Sequence, residues 1–185
     1  GIRVTDLRQP GRARQLLADR VERANQLLTL MGGAERASLD AHVALLERLA
    51  PRILPLAADT GLMVHRALRD GRKVLLEGAQ GALLDVDHGT YPFVTSSNTT
   101  AGGAAVGAGI GPTAIHGVLG VVKAYTTRVG NGPLPTEAEN GNDERLRQLG
   151  GEFGAVTGRP RRCGWFAATV VRYAARVNGL TALAV

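Results

Sequence analysis

Lys73-Val74-Leu75-Leu76-Glu77-Gly78-Ala79-Gln80-Gly81 is the stretch on which the reading of the fold turns. Its apolar opening, 73–76, is too short and too flat in pattern for a helix and reads as a buried strand. The strand runs straight into a glycine turn. In open α/β sheets, ligands bind at that C-terminal edge of the strands.

Upstream the periodicity is helical. Leu17, Val21, Ala24, Leu28 and Met31 step by four and three, marking one face of a helix that Gly32-Gly33 closes. Leu39, Val43, Leu46, Ala50 and Ile53 repeat the pattern, with Pro51 expected to bend or break that helix. Asp59 or Thr60 is placed to cap a third helix, through about Arg69 and closed by Gly71. Packing is the plain role for these amphipathic segments.

Downstream, a second strand is expected from Val118 to Tyr125, then a polar loop from Thr126 to about Asn142. A short helix is expected over Asp143 to Leu149, and a basic loop at Arg159-Pro160-Arg161-Arg162. A helix from about Trp165 to Val177 ends near Asn178-Gly179, and a terminal strand follows. Strands alternating with helices predict an α/β fold with a parallel-sheet core and an N-terminal helical subdomain. The division expected is 1–71 helical and 72–185 α/β, both parts of one larger domain.

Composition narrows the functional classes. The chain has 185 residues, with 44% hydrophobic and 21% charged, which excludes a disordered tail. No run of 18 apolar residues occurs, so no membrane-spanning helix is expected. The opening Gly1-Ile2-Arg3-Val4-Thr5-Asp6 carries no apolar signal core. One cysteine, Cys163, excludes an internal disulfide framework and fits a reducing cytoplasm. Without an initiator methionine, and with a strand cut at its end, the chain reads as a segment of something longer. Glycine is 25 of 185 residues, about twice the usual ~7%. Eleven of those glycines lie from Gly71 to Gly120, a cluster that marks tight turns or backbone pressed against a ligand. The net charge of +6 suits an anionic partner: nucleotide, phosphate or nucleic acid.

Several motifs offer chemistry, each with a plainer alternative. Gly109-Ile110-Gly111-Pro112-Thr113-Ala114 fits G-x-G-x-x-A but follows no clear strand, so it is a weak dinucleotide fingerprint. Asp85, Asp87 and His88 have the ligand chemistry for a metal, yet no second cluster completes a shell; a hydrogen-bonded loop is the plainer reading. His42, His65 and His116 read as structural. Thr95-Ser96-Ser97-Asn98-Thr99-Thr100-Ala101-Gly102-Gly103 sets six hydroxyl or amide side chains before two glycines, which suits phosphate but equally a surface loop or helix cap. Arg159, Arg161 and Arg162 offer forked donors for carboxylate or phosphate. A nucleic-acid patch competes with that reading, although aromatics are only 4% and none is interleaved with the basic residues.

Taken in order, residues 73–179 resemble the central part of the adenylosuccinate synthetase family. The resemblance rests on Glu77-Gly78-Ala79-Gln80-Gly81, on Leu84-Asp85-Val86-Asp87-His88-Gly89-Thr90-Tyr91-Pro92, and on Val94 through Gly103. It continues through Lys123-Ala124-Tyr125-Thr126-Thr127-Arg128-Val129-Gly130, Glu152-Phe153-Gly154, Thr157-Gly158-Arg159 and Arg161-Arg162-Cys163-Gly164-Trp165-Phe166. The opening Gly1 to Leu7 is also similar to the family; the helices between are looser.

The resemblance implies a ligase that joins L-aspartate to carbon 6 of inosine monophosphate (IMP), with GTP and magnesium. A 6-phosphoryl intermediate forms first, and the aspartate amine then displaces the phosphate. Such chemistry needs charge stabilisation around a transferred phosphoryl group and positioning of anionic substrates. By position, Gln80 resembles the glutamine on the hypoxanthine base and its phosphorylated oxygen. Thr95 resembles the threonine on the nucleotide phosphate, and Val129 the residue against the ribose. Arg159 resembles the arginine near ribose and aspartate. Residues Ala155, Val156, Thr157, Gly158, Arg159, Pro160 and Arg161 correspond to the aspartate loop, with Arg161 on the aspartate carboxylate and beside GTP. Arg3 resembles a subunit-interface arginine, which implies a homodimer.

Three residues depart from the family pattern. Val156 stands where many relatives have a hydroxyl, Pro160 stiffens the arginine loop, and Ala167 replaces a usual aspartate. The family's glycine-rich catalytic loop, with its aspartate and histidine, and its Lys-x-Asp guanine reader are not in these residues. The resemblance therefore implies that magnesium ligands lie outside the chain, that no metal site is within it, and that the chain alone is inactive. Two other readings stand beside it: a non-catalytic nucleotide-binding module or one part of a split enzyme, and a basic nucleic-acid-binding protein.

Overall fold

The computed structural model describes residues 1–33 and 35–185. The chain forms two compact units, residues 1–59 and 60–185. The expected boundary at 71/72 falls twelve residues later, because the third helix packs within the second unit.

In the first unit a 3-10 turn, Val4–Arg8, leads into helix α1, Pro10–Leu30, and then α2, Leu39–Ile53. Pro10 opens α1 at the position where its missing N–H costs nothing. Leu7, Ala13 and Leu17 are buried. Asn25 ties the connection down: its Nδ2 donates to Ala37 O at 3.0 Å, and Ala37 N donates to its Oδ1 at 2.7 Å. Ser38 caps α2 by accepting from Ala41 N at 3.3 Å. Pro51 does not break α2, which continues to Ile53 and tightens into the turn Leu54–Leu56. The ring lies so near the helix end that the lost hydrogen bond is one of the last.

The second unit opens with α3, Thr60–Arg69, as its pattern predicts. It closes at Gly71, where Gly71 N donates to Leu68 O at 3.1 Å and Arg72 N to Ala67 O at 2.9 Å. Then comes a correction. Residues 73–80 form no strand: among the described residues nothing pairs with them, and Leu75 is 89% exposed. A four-residue apolar run fixes extended tendency but not a partner, and a strand exists only through its ladder.

Helix α4, Ala101–Ala108, ends at Gly109, whose φ of +68° makes it a left-handed C-cap. The G-x-G-x-x-A match is therefore a helix end and a turn rather than a dinucleotide loop after a strand. Strand β1, Leu119–Val121, is shorter than the expected 118–125, and His116 lies ahead of it. It pairs in parallel with the terminal strand β4, Ala182–Ala184, in the register Leu119↔Ala182. The pair is open to solvent: Leu119, Val121, Leu183 and Val185 are all exposed.

The expected polar loop after Thr126 begins instead as strand β2, Thr126–Val129. It runs antiparallel to β3, Arg161–Gly164, in the register Thr126↔Gly164 to Val129↔Arg161. Thr-Thr-Arg-Val has the β-branched content of a strand, masked by the Gly and Pro that follow. The basic loop likewise becomes a strand from Arg161 onward. Helices α5, Asn142–Gly150, and α6, Ala168–Asn178, fall close to expectation. The buried apolar side chains of this unit are Ala105, Leu134, Ala138, Cys163 and Ala167, with Cys163 on β3. The architecture is α/β with a parallel pair, plus an antiparallel pair the sequence did not suggest.

Candidate functional site

Asp85 is 0% exposed and organises the loop that precedes α4. Its Oδ1 accepts from Asp87 N at 2.9 Å and His88 N at 3.0 Å; its Oδ2 accepts from Thr99 N at 2.6 Å and Thr100 N at 3.3 Å. Burial acts to raise its pKa, but the four backbone donors outweigh that and hold the carboxyl well below its ordinary range. Asn98 Nδ2 joins it at 3.3 Å while donating to Asp87 Oδ2 at 2.7 Å. With its oxygens so occupied Asp85 does not fit a metal, and no group of three metal-ligating side chains occurs among the described residues. Tyr173 holds the His88 carbonyl at 2.6 Å from the α6 side.

The same loop draws the Gln80 turn to the Thr95 segment. Thr95 N donates to Leu84 O at 2.8 Å, Val86 N to Ser97 O at 3.2 Å, and Thr99 Oγ1 to Gly81 O at 3.0 Å. Gln80, next to that last bond, is exposed, and Thr95 is half-buried. Of the polar stretch, Asn98 and Thr99 spend their side chains on the loop and Thr100 precedes the first residue of α4. The backbone turns so tightly here that a Cβ on Gly103 would lie 2.7 Å from Asn98 O. Only glycine fits.

Arg128, on β2, fastens the strand pair to this loop. Its Nη2 donates to Thr90 Oγ1 and to Phe93 O, both at 2.9 Å. At the end of β2, Val129 is opposite Arg161 on β3. The residues assigned by resemblance to ribose and to carboxylate are thus cross-strand neighbours.

The segment Ala155–Pro160 is a tight turn closed by Gly154 N to Arg159 O and Gly158 N to Gly154 O, both 2.8 Å. Phe153 and Pro160 bridge its base. Val156 stands at the tip, 98% exposed, and Arg159 is exposed beside it. The three arginines of the basic stretch have different surroundings. Arg162 is bound to Glu137 by two donors of one guanidinium edge, Nε to Oε1 at 2.7 Å and Nη2 to Oε2. Arg161 Nη1 donates to Glu152 Oε2 at 3.1 Å. Arg159 has no ion pair among the described residues. A chain surface built for duplex backbone would leave all three free; two are committed internally.

Glu152, 4% exposed, entered the sequence reading only as part of the Glu152-Phe153-Gly154 match, with no chemical role assigned. It accepts from Lys123 Nζ and from the Tyr125 hydroxyl at 2.6 Å each. Burial pushes its pKa up, yet the hydrogen bonds from Lys123 and Tyr125 and the charges of Lys123 and Arg161 prevail and lower it. The bond to Glu152, and then burial, raise the Tyr125 phenol. Burial, then the Glu152 charge, raises the Cys163 thiol. The signals for Glu152 in the sequence were its place in the Glu152-Phe153-Gly154 match and a lone acid shortly before a run of arginines.

Comparison with known proteins identifies the family of the chain. The sequence profile of the family described as adenylosuccinate synthetase matches residues 1–185. The chain is 59% identical to the adenylosuccinate synthetase of a Parafrankia species over 183 residues, covering 99% of this chain and 43% of that protein. It is 58% identical to that of Sorangium cellulosum, covering 100% and 43%. The chain thus spans under half the length of these relatives. A solved structure of the fully ligated adenylosuccinate synthetase from Plasmodium falciparum superposes with a TM-score of 0.87 at 36% identity, over 99% of this chain and 42% of that one. A more distant likeness, TM-score 0.52 at 28% identity over 64% of this chain and 37% of that one, is to the succinoaminodeoxyadenylate synthetase of cyanophage S-2L. The chain belongs to the adenylosuccinate synthetase family.

Proposed function

We propose that these residues supply the IMP and aspartate sites of a GTP-dependent ligase that forms adenylosuccinate on the way to AMP. The observation that carries this reading is the register Val129↔Arg161, which sets the ribose and carboxylate candidates side by side on a strand pair that Arg128 fastens to the segment of Thr90 and Phe93. In this reading Gln80 donates to and accepts from the base, an amide being able to do both without titrating. Thr95 takes the 5′-phosphate, with Ser96 and Ser97 adjacent. The turn 155–161 receives aspartate: Arg161 takes its carboxylate and lies beside GTP, and Arg159 reaches ribose and aspartate. Val156 offers no hydroxyl, so that contact is made by backbone or by Thr157.

The acid–base groups of the reaction and the ligands of magnesium are assigned to parts of the enzyme outside these residues. Magnesium would neutralise GTP phosphate charge there. The enzyme is proposed to be cytoplasmic and dimeric, with Arg3 at the subunit interface. No described helix is long and apolar enough to cross a membrane.

The test is a chimera in which these 185 residues replace the matching segment of the Parafrankia synthetase. The chimera is expected to form adenylosuccinate from IMP, aspartate and GTP, and Arg161→Met to raise its aspartate KM. The 185-residue chain by itself is expected to give no turnover, since acid–base and electrostatic groups supply orders of magnitude in rate. An active chimera indifferent to changes at Gln80, Thr95 and Arg161 would refute the assignment.

A further inference from the structure

We propose that Glu152 is the positioning residue that aims Arg161, fixing one corner of its guanidinium so that the remaining exposed part of the group is held ready for a substrate carboxylate. The proposal rests on the aspartate-binding reading of Arg161 given above and adds the group that acts through it. Glu152 grips Arg161 at two points: Arg161 N donates to Glu152 O at 2.9 Å, and Nη1 donates to Oε2 at 3.1 Å. From the other side, Arg147 Nε donates to Arg161 O at 2.7 Å. Backbone and one guanidinium corner are thus fixed, and little rotamer freedom is left.

The side chain is not closed off. Arg161 is 30% exposed at its side chain, so an incoming oxygen can reach the guanidinium at a donor other than the buried Nε. Carboxylates take arginine through parallel N–H donors, which gives orientation as well as attraction. The second cation explains how Glu152 does this without quenching the site. Lys123 Nζ lies 2.6 Å from Glu152 Oε1 and 3.0 Å from Thr127 Oγ1. One carboxylate faced by Arg161 and Lys123 leaves a net single positive charge, so an anionic ligand is still attracted. The Tyr125 hydroxyl also donates to Oε1 at 2.6 Å, and the Glu152 side chain is buried.

Two measurements test this. In the 185-residue chain, nitrogen-15 spectra of the arginine Nε–H groups, assigned with Arg161→Lys, should show a slowly exchanging Arg161 signal. Glu152→Gln should speed that exchange at least tenfold and Glu152→Asp by less, with the Arg147 Nε–H unchanged. An unchanged Arg161 signal in a folded Glu152 variant would overturn the proposal. In the chimera, Glu152→Gln should raise the aspartate KM about tenfold with kcat and the IMP KM held within twofold. In an Arg161→Met background the same change should have no further effect. A purely structural Glu152 would shift all three substrates alike and add to Arg161→Met. Arg161→Met that leaves the aspartate KM untouched would instead sink the functional reading, while the spectra still decide whether Glu152 positions Arg161.

Discussion

Thr99 N approaches Asp85 Oδ2 to 2.6 Å across fourteen residues of chain, and this contact closes the loop that carries the phosphate-site candidates. Replacing the carboxylate should cost more than a usual core change. Asp85→Ala leaves four backbone donors without an acceptor, each worth about 1–3 kcal/mol when buried, so a loss of roughly 3 kcal/mol or more is expected after relaxation. Denaturant unfolding of the parent and variant measures it. A change under about 1 kcal/mol would mean water replaces the carboxylate freely.

Acid should find the same weakness. Asp85 and Glu152 both have folded pKa values below their ordinary ones. The stability they contribute is therefore full above the unfolded carboxylate range, near 4, and falls as pH drops through it toward the lower folded values. Thermal unfolding followed from pH 7 to pH 3 should show Tm flat at first and then descending. The descent should be shallower in Glu152→Gln, which has lost one contributing group.

Nucleotide affinity should depend on two residues joined only through the loop. In the chimera, Gln80→Ala and Thr95→Ala should each weaken IMP binding by about 1–3 kcal/mol, the range for a polar partner left unpaired. Calorimetric titration gives the values directly. Both substitutions silent in a binding-competent protein would place the nucleotide elsewhere.

Helix α6 begins without a side-chain cap, because Ala167 occupies the N-cap position. Ala167→Ser supplies an acceptor for the first-turn N–H groups and should stabilise the chain by about 0.5–1 kcal/mol. The midpoint of urea unfolding should rise with its slope unchanged.

The basic composition makes a contrary reading easy to check. With Arg161 and Arg162 engaged by Glu152 and Glu137, binding to labelled duplex DNA should be weak and vanish between low and physiological salt. Tight, sequence-dependent binding at physiological salt would favour a nucleic-acid function.

Much of the fold was legible where one physical rule decides the outcome. Helical periodicity with Gly71 and Gly179 at the ends placed α3 closely and α6 to within three residues at its start, and marked the face of α2 while expecting Pro51 to bend or break it. Strands were less legible, because pairing is not local. Val74 and Leu75 have strand composition and no ladder, whereas Thr126 to Val129 look like a loop and find β3 more than thirty residues away. The site behaved in the same way. The assignments of Gln80, Thr95 and Arg161 rest on the resemblance, and the structure adds hydrogen bonds that join their segments through the Asp85 loop and Arg128. Glu152 was invisible as chemistry, since a single carboxylate gains meaning only when Lys123, Tyr125 and Arg161 converge on it from three places in the chain.

The β1–β4 pair has a practical consequence. Parallel strands are ordinarily covered on both faces, yet here Leu119, Val121, Leu183 and Val185 line a two-stranded ribbon in water. No lysine, proline or bulge interrupts the ribbon, and these are the devices by which natural sheets refuse further strands. A preparation of these residues alone is therefore prone to edge-to-edge aggregation as concentration rises, and a solubilising partner fused near Val185 is the natural remedy.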